Sequence, residues 1–229
     1  MTKLLKNINL HRPEIEMLTE LGYEFDQTWQ VNHKFETKVA EFFGSRYAIS
    51  LDSCTHALEL CFRWVNQLDV SVEVPVNTYM SVPMMLTQLK QSWHFVDSRW
   101  QEYYDFNPLP IIDAAYTWRK NSYVPGSYMC ISFQFKKHIC IGHGGMILTD
   151  DVVAAEWFQR MCRDGRNPQL KQNEDDIIEM GYHYSMIPED AARGILLMDK
   201  IGHLPAKVYG WDHYKTLTEN QVFKNHPVL

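Results

Sequence analysis

The sequence predicts an α/β fold, a three-layer sandwich in which helices cover both faces of a mostly parallel sheet. Short apolar segments alternate with amphipathic helical segments along the chain, and small polar residues separate the two kinds of segment. Strands that alternate with helices form parallel sheets whose two faces are both buried. The 229 residues are 45% hydrophobic, which is enough apolar material for one large core.

The first strand and its flanking helices have the clearest pattern. Residues 35–43 place apolar side chains on one face of a helix, and Gly44 follows as a helix stop. The apolar residues 46–51 then predict a buried strand. Small polar residues open a second helix at about Thr55.

The same alternation continues through the rest of the sequence. Strands are expected at 70–76, 92–97, 109–116, 128–135 and 144–150, and helices at 81–90, 151–165 and 188–204. A turn that carries Lys136 and Lys137 joins the last two strands, so we expect these strands to form a pair.

Polar side chains collect at the carboxyl ends of these strands, where open α/β sheets bind their ligands. They are Ser53–Thr55, Asp113, and Ser132 with the lysine pair. An amine can form a Schiff base with an aldehyde such as that of pyridoxal phosphate (PLP). PLP also needs a carboxylate at its ring nitrogen and a helix N-terminus for its phosphate. A lysine, Asp113 and Ser53–Thr55 would supply these, and Tyr79 an aromatic face.

Motifs of one enzyme family occur in order between about residues 9 and 205. They are FETKVAEFFGSRYAISLDSCTHALEL, VEVPVNTYMSV, FVD, IIDAA, SFQFKKHICIGHGGMILTDD and MGYHYSMIPEDAARGILLMDKI. These stretches resemble the DegT/StrS-type aminotransferases, fold-type I PLP enzymes that act mainly on nucleotide-linked keto sugars. The resemblance implies a PLP-binding large domain over 1–205, shortened between 105 and 111. It also implies a residual tail over 206–229, with the C-terminal small domain largely missing.

The resemblance also implies a role for individual residues. Lys137, five residues after Ser132, takes the Schiff-base position, and Asp113 takes the position of the ring-nitrogen partner. The implied cofactor-binding positions are Ser53, Cys54, Thr55, Tyr79, Asp113, Tyr116, Ser132, Gln134, Lys137 and His183. Tyr116 stands where aminating members have Gln. His183 stands where the family has an Asn that reaches the partner subunit's cofactor, which implies a homodimer with shared active sites.

By this resemblance the chain is expected to be a PLP-dependent transaminase that moves an amino group from an amino acid to a keto sugar. Two alternatives remain within the same fold. In deoxysugar dehydratases of the family a histidine replaces the lysine, and His138 is adjacent to Lys137. A shortened, non-catalytic relative would keep only the dimer and would serve as a binding or scaffold protein.

Composition bears on other classes of function. The net charge of -6 argues against binding to a nucleic-acid backbone, and no apolar run is long enough for a membrane span or a secretory leader. Five cysteines without a CxxC pair indicate reduced thiols and a cytoplasmic location. His138, Cys140 and His143 are candidate zinc ligands, but no second ligand pair has comparable spacing.

Overall fold

The structure, a computed structural model, describes residues 12–171, 173–226 and 228. The helices are α1 Pro13–Glu20, α2 Trp29–Phe43, α3 Cys54–Val65, α4 Ser81–Leu89, α5 Val152–Met161 and α6 Pro188–Ile201. The strands are β1 Tyr47–Leu51, β2 Val72–Pro75, β3 Trp93–Val96, β4 Tyr104–Asp105, β5 Ile111–Asp113, β6 Tyr128–Ser132 and β7 Gly145–Thr149. Two short 3-10 helices follow at Trp211–His213 and Leu217–Glu219.

The helix boundaries follow from local chemistry. Gly44 ends α2 in the left-handed conformation, with φ of 82°, as its position in the sequence predicts. Ser53 caps α3 by accepting a hydrogen bond from the backbone of His56, so this helix begins one residue before the predicted Thr55. None of the described helices is long and apolar enough to cross a bilayer. The sequence-based expectation of no leader concerns an N-terminus whose residues 1–11 lie outside the described part.

The predicted three-layer arrangement is confirmed. Strand side chains alternate between two apolar clusters, one on each face of the sheet. On β7, for example, Ile147 packs with residues of α3 and α5, whereas Met146 and Leu148 pack with residues of α2 and α6. Helices therefore cover both faces.

The sheet is more mixed than the sequence predicts. One sheet has the strand order β1-β7-β6-β5-β4, and β2 and β3 form a separate parallel pair. In the larger sheet β5 and β6 are parallel, but β7 runs antiparallel to both β1 and β6, and β4 runs antiparallel to β5. The connections into β5 and β7, residues 106–110 and 133–144, contain no crossover helix, and parallel pairing requires one. Since β1, β5 and β6 still run in one direction, their carboxyl ends share one edge.

The β2–β3 pair is joined to the rest of the molecule by side chains and by the C-terminal segment. Asn107, in the turn before β5, accepts a backbone hydrogen bond from Glu73 and donates one to its carboxylate, at 3.2 and 3.1 Å. Leu217 donates a backbone hydrogen bond to Val76 at 2.8 Å, and Phe223 packs edge-on against Phe95. The segment after residue 205 thus packs on the main core, and the division at residue 205 stays a prediction.

Candidate active site

The strand register brings the polar ends of β1 and β6 to either side of one glycine. Gly145, the first residue of β7, pairs with Leu51 of β1 and with Ser132 of β6. A Cβ atom at this glycine would lie 2.4 Å from the backbone nitrogen of Cys54. The N-terminus of α3 therefore packs directly on the edge where the strands end, and only glycine fits this contact.

Lys137 lies in the turn after β6, half-buried at this edge. Its backbone N–H donates to Gln134 O over 2.8 Å, and its Nζ atom lies 3.2 Å from the ring centroid of Tyr116. This is a close cation–π geometry. Burial lowers the pKa of the Lys137 amine to about 8, although the charge of Asp113 opposes this shift. The amine is thus closer to its neutral, reactive form than an exposed lysine.

Asp113 is the buried carboxylate that faces this amine. The residue is 6% exposed and ends β5. Its Oδ1 accepts the backbone N–H of Ala115 at 3.0 Å, and its Oδ2 accepts the hydroxyl of Tyr104 at 2.8 Å. Burial raises the pKa of Asp113, while the two hydrogen bonds and the charge of Lys137 oppose that rise. The structure therefore brings the predicted lysine and aspartate close enough for the charge of each to shift the pKa of the other.

Two helix N-termini meet beside this pair. Cys54 and Thr55 open α3, and Thr55 Oγ1 lies 2.7 Å from the hydroxyl of Ser81, the first residue of α4. Free backbone N–H groups at helix N-termini favour anions. Burial raises the pKa of the Cys54 thiol well above its ordinary value, and the charge of Asp113 adds to this effect, so the thiol stays neutral. Ser81 was missed in the sequence, although a small polar residue at a helix start is the same signal that Thr55 gave.

Ser132 and Gln134 shape the lysine-bearing turn. Ser132 Oγ accepts the backbone N–H of Gln134 at 3.4 Å, and the Gln134 side-chain oxygen accepts that of Lys136 at 3.0 Å. Ser132 and Lys137 also line a cavity of about 130 Å³. Gln134 acts within the turn in this chain, and its role towards a cofactor stays a prediction.

Tyr79 and His183 lie apart from the lysine–aspartate pair. Tyr79 is 52% exposed, and the His183 side chain is 88% exposed and pairs with Asp164 at 3.0 Å. Within the described residues, no hydrogen bond, ion pair or ring contact joins either of them to Lys137 or Asp113. Their predicted roles, ring stacking for Tyr79 and contact with a partner subunit for His183, stay predictions.

The C-terminal segment supplies a wall that the sequence did not predict. The Tyr209 ring stacks on Tyr116 with centroids 4.8 Å apart, and the Tyr214 ring meets Tyr116 edge-on at 5.9 Å. A backbone hydrogen bond from Glu102 to Tyr209, 2.9 Å long, anchors this segment. Tyr116 is therefore held between the C-terminal segment and the amine of Lys137.

His138 is engaged elsewhere. Its Nε2 lies 3.0 Å from the backbone oxygen of Ile201, and its ring stacks on Trp118. The charge that acts on Asp113 is that of Lys137, and the choice between lysine and histidine as the reactive group stays a prediction. No group of three or more His, Cys, Asp or Glu residues in the described ranges could hold a metal, so the zinc hypothesis gains no support.

Comparison with known proteins identifies a family. The model of the DegT/DnrJ/EryC1/StrS aminotransferase family matches residues 15–111 and 112–221. The uncharacterized protein MJ1066 of Methanocaldococcus jannaschii is 25% identical over an alignment 220 residues long, and this alignment covers 73% of this chain and 56% of that protein.

Solved structures share the fold. AtS13 from Actinomadura melliaura has a TM-score of 0.66 at 18% identity, over 81% of this chain and 63% of that chain. The putative sugar aminotransferase Spr1654 from Streptococcus pneumoniae, in its PMP form, has a TM-score of 0.64 at 17% identity, over 84% of this chain and 64% of that chain. This chain thus spans between 56% and 64% of the length of these relatives. The predicted fold class is confirmed, and the family match over most of the sequence shows that the chain belongs to the DegT/DnrJ/EryC1/StrS aminotransferase family.

Proposed function

We propose that this protein is a PLP-dependent aminotransferase that acts on a nucleotide-linked keto sugar, with Lys137 as the residue that holds the cofactor covalently. The observation that carries the proposal is a half-buried amine, of pKa about 8, close enough to the buried carboxylate of Asp113 for the charge of each to shift the pKa of the other. Perturbed groups of opposite charge in one cleft are typical of functional sites.

The residues at the site fit PLP by their chemistry. Asp113 is a buried acceptor that would hold a protonated ring nitrogen. The adjoining N-termini of α3 and α4, with the hydroxyls of Thr55 and Ser81 2.7 Å apart, would hold a phosphate. Ser132, at the end of β6 and on the wall of the cavity, would add a third hydroxyl.

The chain's own residues would then move the protons. When bound, PLP supplies a ring that withdraws electrons from the α-carbon of an amino donor. After the amino group of the donor has displaced it from the cofactor, the free Lys137 amine, with its lowered pKa, would take the proton from that α-carbon as a general base. The cavity beside it, lined by Tyr116 and Tyr209 among others, would exclude bulk water and orient the substrates.

The acceptor class and the assembly belong to the same proposal. Spr1654 is named as a putative sugar aminotransferase, and this likeness supports a keto sugar as the acceptor and an amino acid as the donor. A homodimer with shared sites is supported by the apolar surface near His183, where Ile178 is 78% and Met180 95% exposed.

A titration with PLP tests the proposal. The purified protein should develop a visible absorbance band on addition of PLP, because the Lys137 amine attaches to the aldehyde. Lys137→Ala should abolish the band, whereas the matched change Lys136→Ala at the exposed neighbour should retain it. Absence of a band in the unmodified protein would refute the proposal and favour the non-catalytic relative.

A further inference from the structure

Thr78, Tyr104 and Asp113 form a series of hydrogen-bonded side chains that ends at the Asp113 carboxylate of the candidate site. Tyr104 Oη donates to Asp113 Oδ2 over 2.8 Å, and the same hydroxyl lies 2.8 Å from Thr78 Oγ1. An ionised carboxylate only accepts hydrogen bonds, so the single phenolic proton of Tyr104 points to Asp113. Thr78 must therefore donate its own proton to Tyr104, and each donor in such a series polarises the next.

The three residues come from separate parts of the fold. Thr78 follows β2, Tyr104 lies on β4, and Asp113 ends β5, directly opposite Tyr104 in the antiparallel register. They are 3%, 6% and 6% exposed. In the described part of the chain no strand ladder joins β2 to the five-stranded sheet. The Tyr104 side chain makes this connection at the site itself.

We propose that Tyr104 is a positioning residue, which keeps the Asp113 carboxylate ionised and fixed in orientation for a cationic nitrogen of the bound cofactor. The Ala115 N–H holds Oδ1 and the Tyr104 hydroxyl holds Oδ2, so the plane of the carboxylate is set from both sides. Each oxygen keeps a further lone pair for a ligand. This assignment of a role rests on the proposed function, since it is the cofactor that would supply the cation.

The groups around Asp113 leave Tyr104 as its one side-chain hydrogen-bond donor among the described residues. The titratable groups that face the carboxylate are Tyr104 on β4, Cys54 on α3, Cys130 on β6, Lys137 in the turn and Tyr214 in the C-terminal segment. Burial raises the pKa of the thiols and of both phenols, so these groups stay neutral. Without the Tyr104 hydroxyl, burial of Asp113 would be opposed only by Ala115 and Lys137, and the carboxyl group would protonate at a higher pH.

An NMR titration of the aspartate carboxyl carbons tests this in the protein without added cofactor. The Asp113 signal is assigned by its loss in Asp113→Asn. Tyr104→Phe should raise the titration midpoint of Asp113 by about one pH unit, the size expected for one hydrogen bond to a charged group. Thr78→Val, which removes the donor to Tyr104, should raise it by less. Tyr103→Phe is the matched control, since no described residue hydrogen-bonds to the Tyr103 hydroxyl, and it should leave the midpoint unchanged.

The outcomes decide the proposal in each case. An unchanged Asp113 midpoint in a folded Tyr104→Phe protein would overturn the proposal, because loss of a hydroxyl that has only a structural role leaves that midpoint where it is. An equal shift of the Asp113 midpoint in Tyr103→Phe would also overturn it, because the effect would then not be specific to Tyr104. If Tyr104→Phe does not fold, the shift or its absence in Thr78→Val decides. Because no PLP is used, an upward shift shows that Tyr104 keeps Asp113 ionised even if the protein shows no absorbance band with PLP. The missing band would refute the proposed function, and with it the cofactor as the source of the cation.

Discussion

At the scale of single residues, two opposing effects set the pKa of the Lys137 amine. Burial favours its neutral amine, and the facing carboxylate of Asp113 favours its ammonium form, with a pKa of about 8 as the result. Below pH 8 most of the amine is protonated and lies against the Tyr116 ring as a cation. Above pH 8 the neutral form prevails, and this is the form that attacks carbonyl groups.

The pH dependence of Lys137 labelling follows from this value. We expect reductive methylation of Lys137 by formaldehyde and cyanoborohydride to rise with pH through a midpoint of about 8, since only the neutral amine reacts. Peptide mass spectrometry at a series of pH values measures the midpoint. A midpoint near 10.5, the ordinary value for lysine, would show that the side chain is not held in the site.

The site residues differ in how far the sequence predicts them. Lys137, Asp113 and Ser132 could be placed together because each ends or follows an apolar run, and parallel strands bring such ends to one edge. Tyr104 could not be placed, because it lies on a two-residue strand that is too short for a periodic pattern. Its contact with Asp113 depends on the antiparallel pairing of β4 with β5, which places the two residues opposite each other.

At the scale of elements, the packing of β7 against the start of α3 controls the geometry of the site. Gly145 allows the two backbones to touch, because a Cβ there would lie 2.4 and 2.5 Å from backbone atoms of Cys54. Backbone atoms cannot move aside by a change of rotamer. The position of the α3 N-terminus relative to Lys137 therefore depends on this one residue.

Substitution of Gly145 tests that dependence. Gly145→Ala should lower the free energy of unfolding by about 3 kcal/mol, the upper range for overpacking a well-packed core. Gly142→Ala is the control in the preceding turn, where no atom beyond the adjacent residues lies within 4 Å of the added carbon but φ is +117°. It should cost about 1 kcal/mol from backbone strain. Chemical denaturation measures both, and equal losses would show that the close contact at Gly145 is absent.

The elements themselves were largely predictable, and the strand directions were less so. The helices and long strands follow periodic patterns, and the lysine-bearing turn identified β6 and β7 as neighbours. The separation of β2 and β3 from the main sheet could not be predicted, because it depends on whether a strand pairs with their free edge. The sequence has no local signal for that pairing.

At the scale of the whole molecule, the C-terminal segment closes the site that the rest of the chain builds. Tyr209 lines the cavity with Lys137 and stacks on Tyr116, and Leu217 and Phe223 anchor the segment in the main core. These contacts join residues far apart in sequence, which is why no motif indicated them.

Removal of the Tyr209 ring should therefore raise the pKa of the Lys137 amine. Tyr209→Ala opens one wall of the cavity, reduces the burial of the amine, and should move the methylation midpoint of Lys137 upward from about 8 towards 10.5. Val208→Ala, at a neighbouring side chain that is 55% exposed, is the matched control and should leave it unchanged. An unchanged midpoint in Tyr209→Ala would show that the segment does not cover the site in solution.

The covalent role of Lys137 is the claim on which the proposed function depends. The most direct measurement is to incubate the protein with PLP, reduce it with borohydride, and map the modified peptide by mass spectrometry. We predict one phosphopyridoxyl group, attached to Lys137. Attachment to Lys136 or to scattered surface lysines, with Lys137 unmodified, would contradict the account.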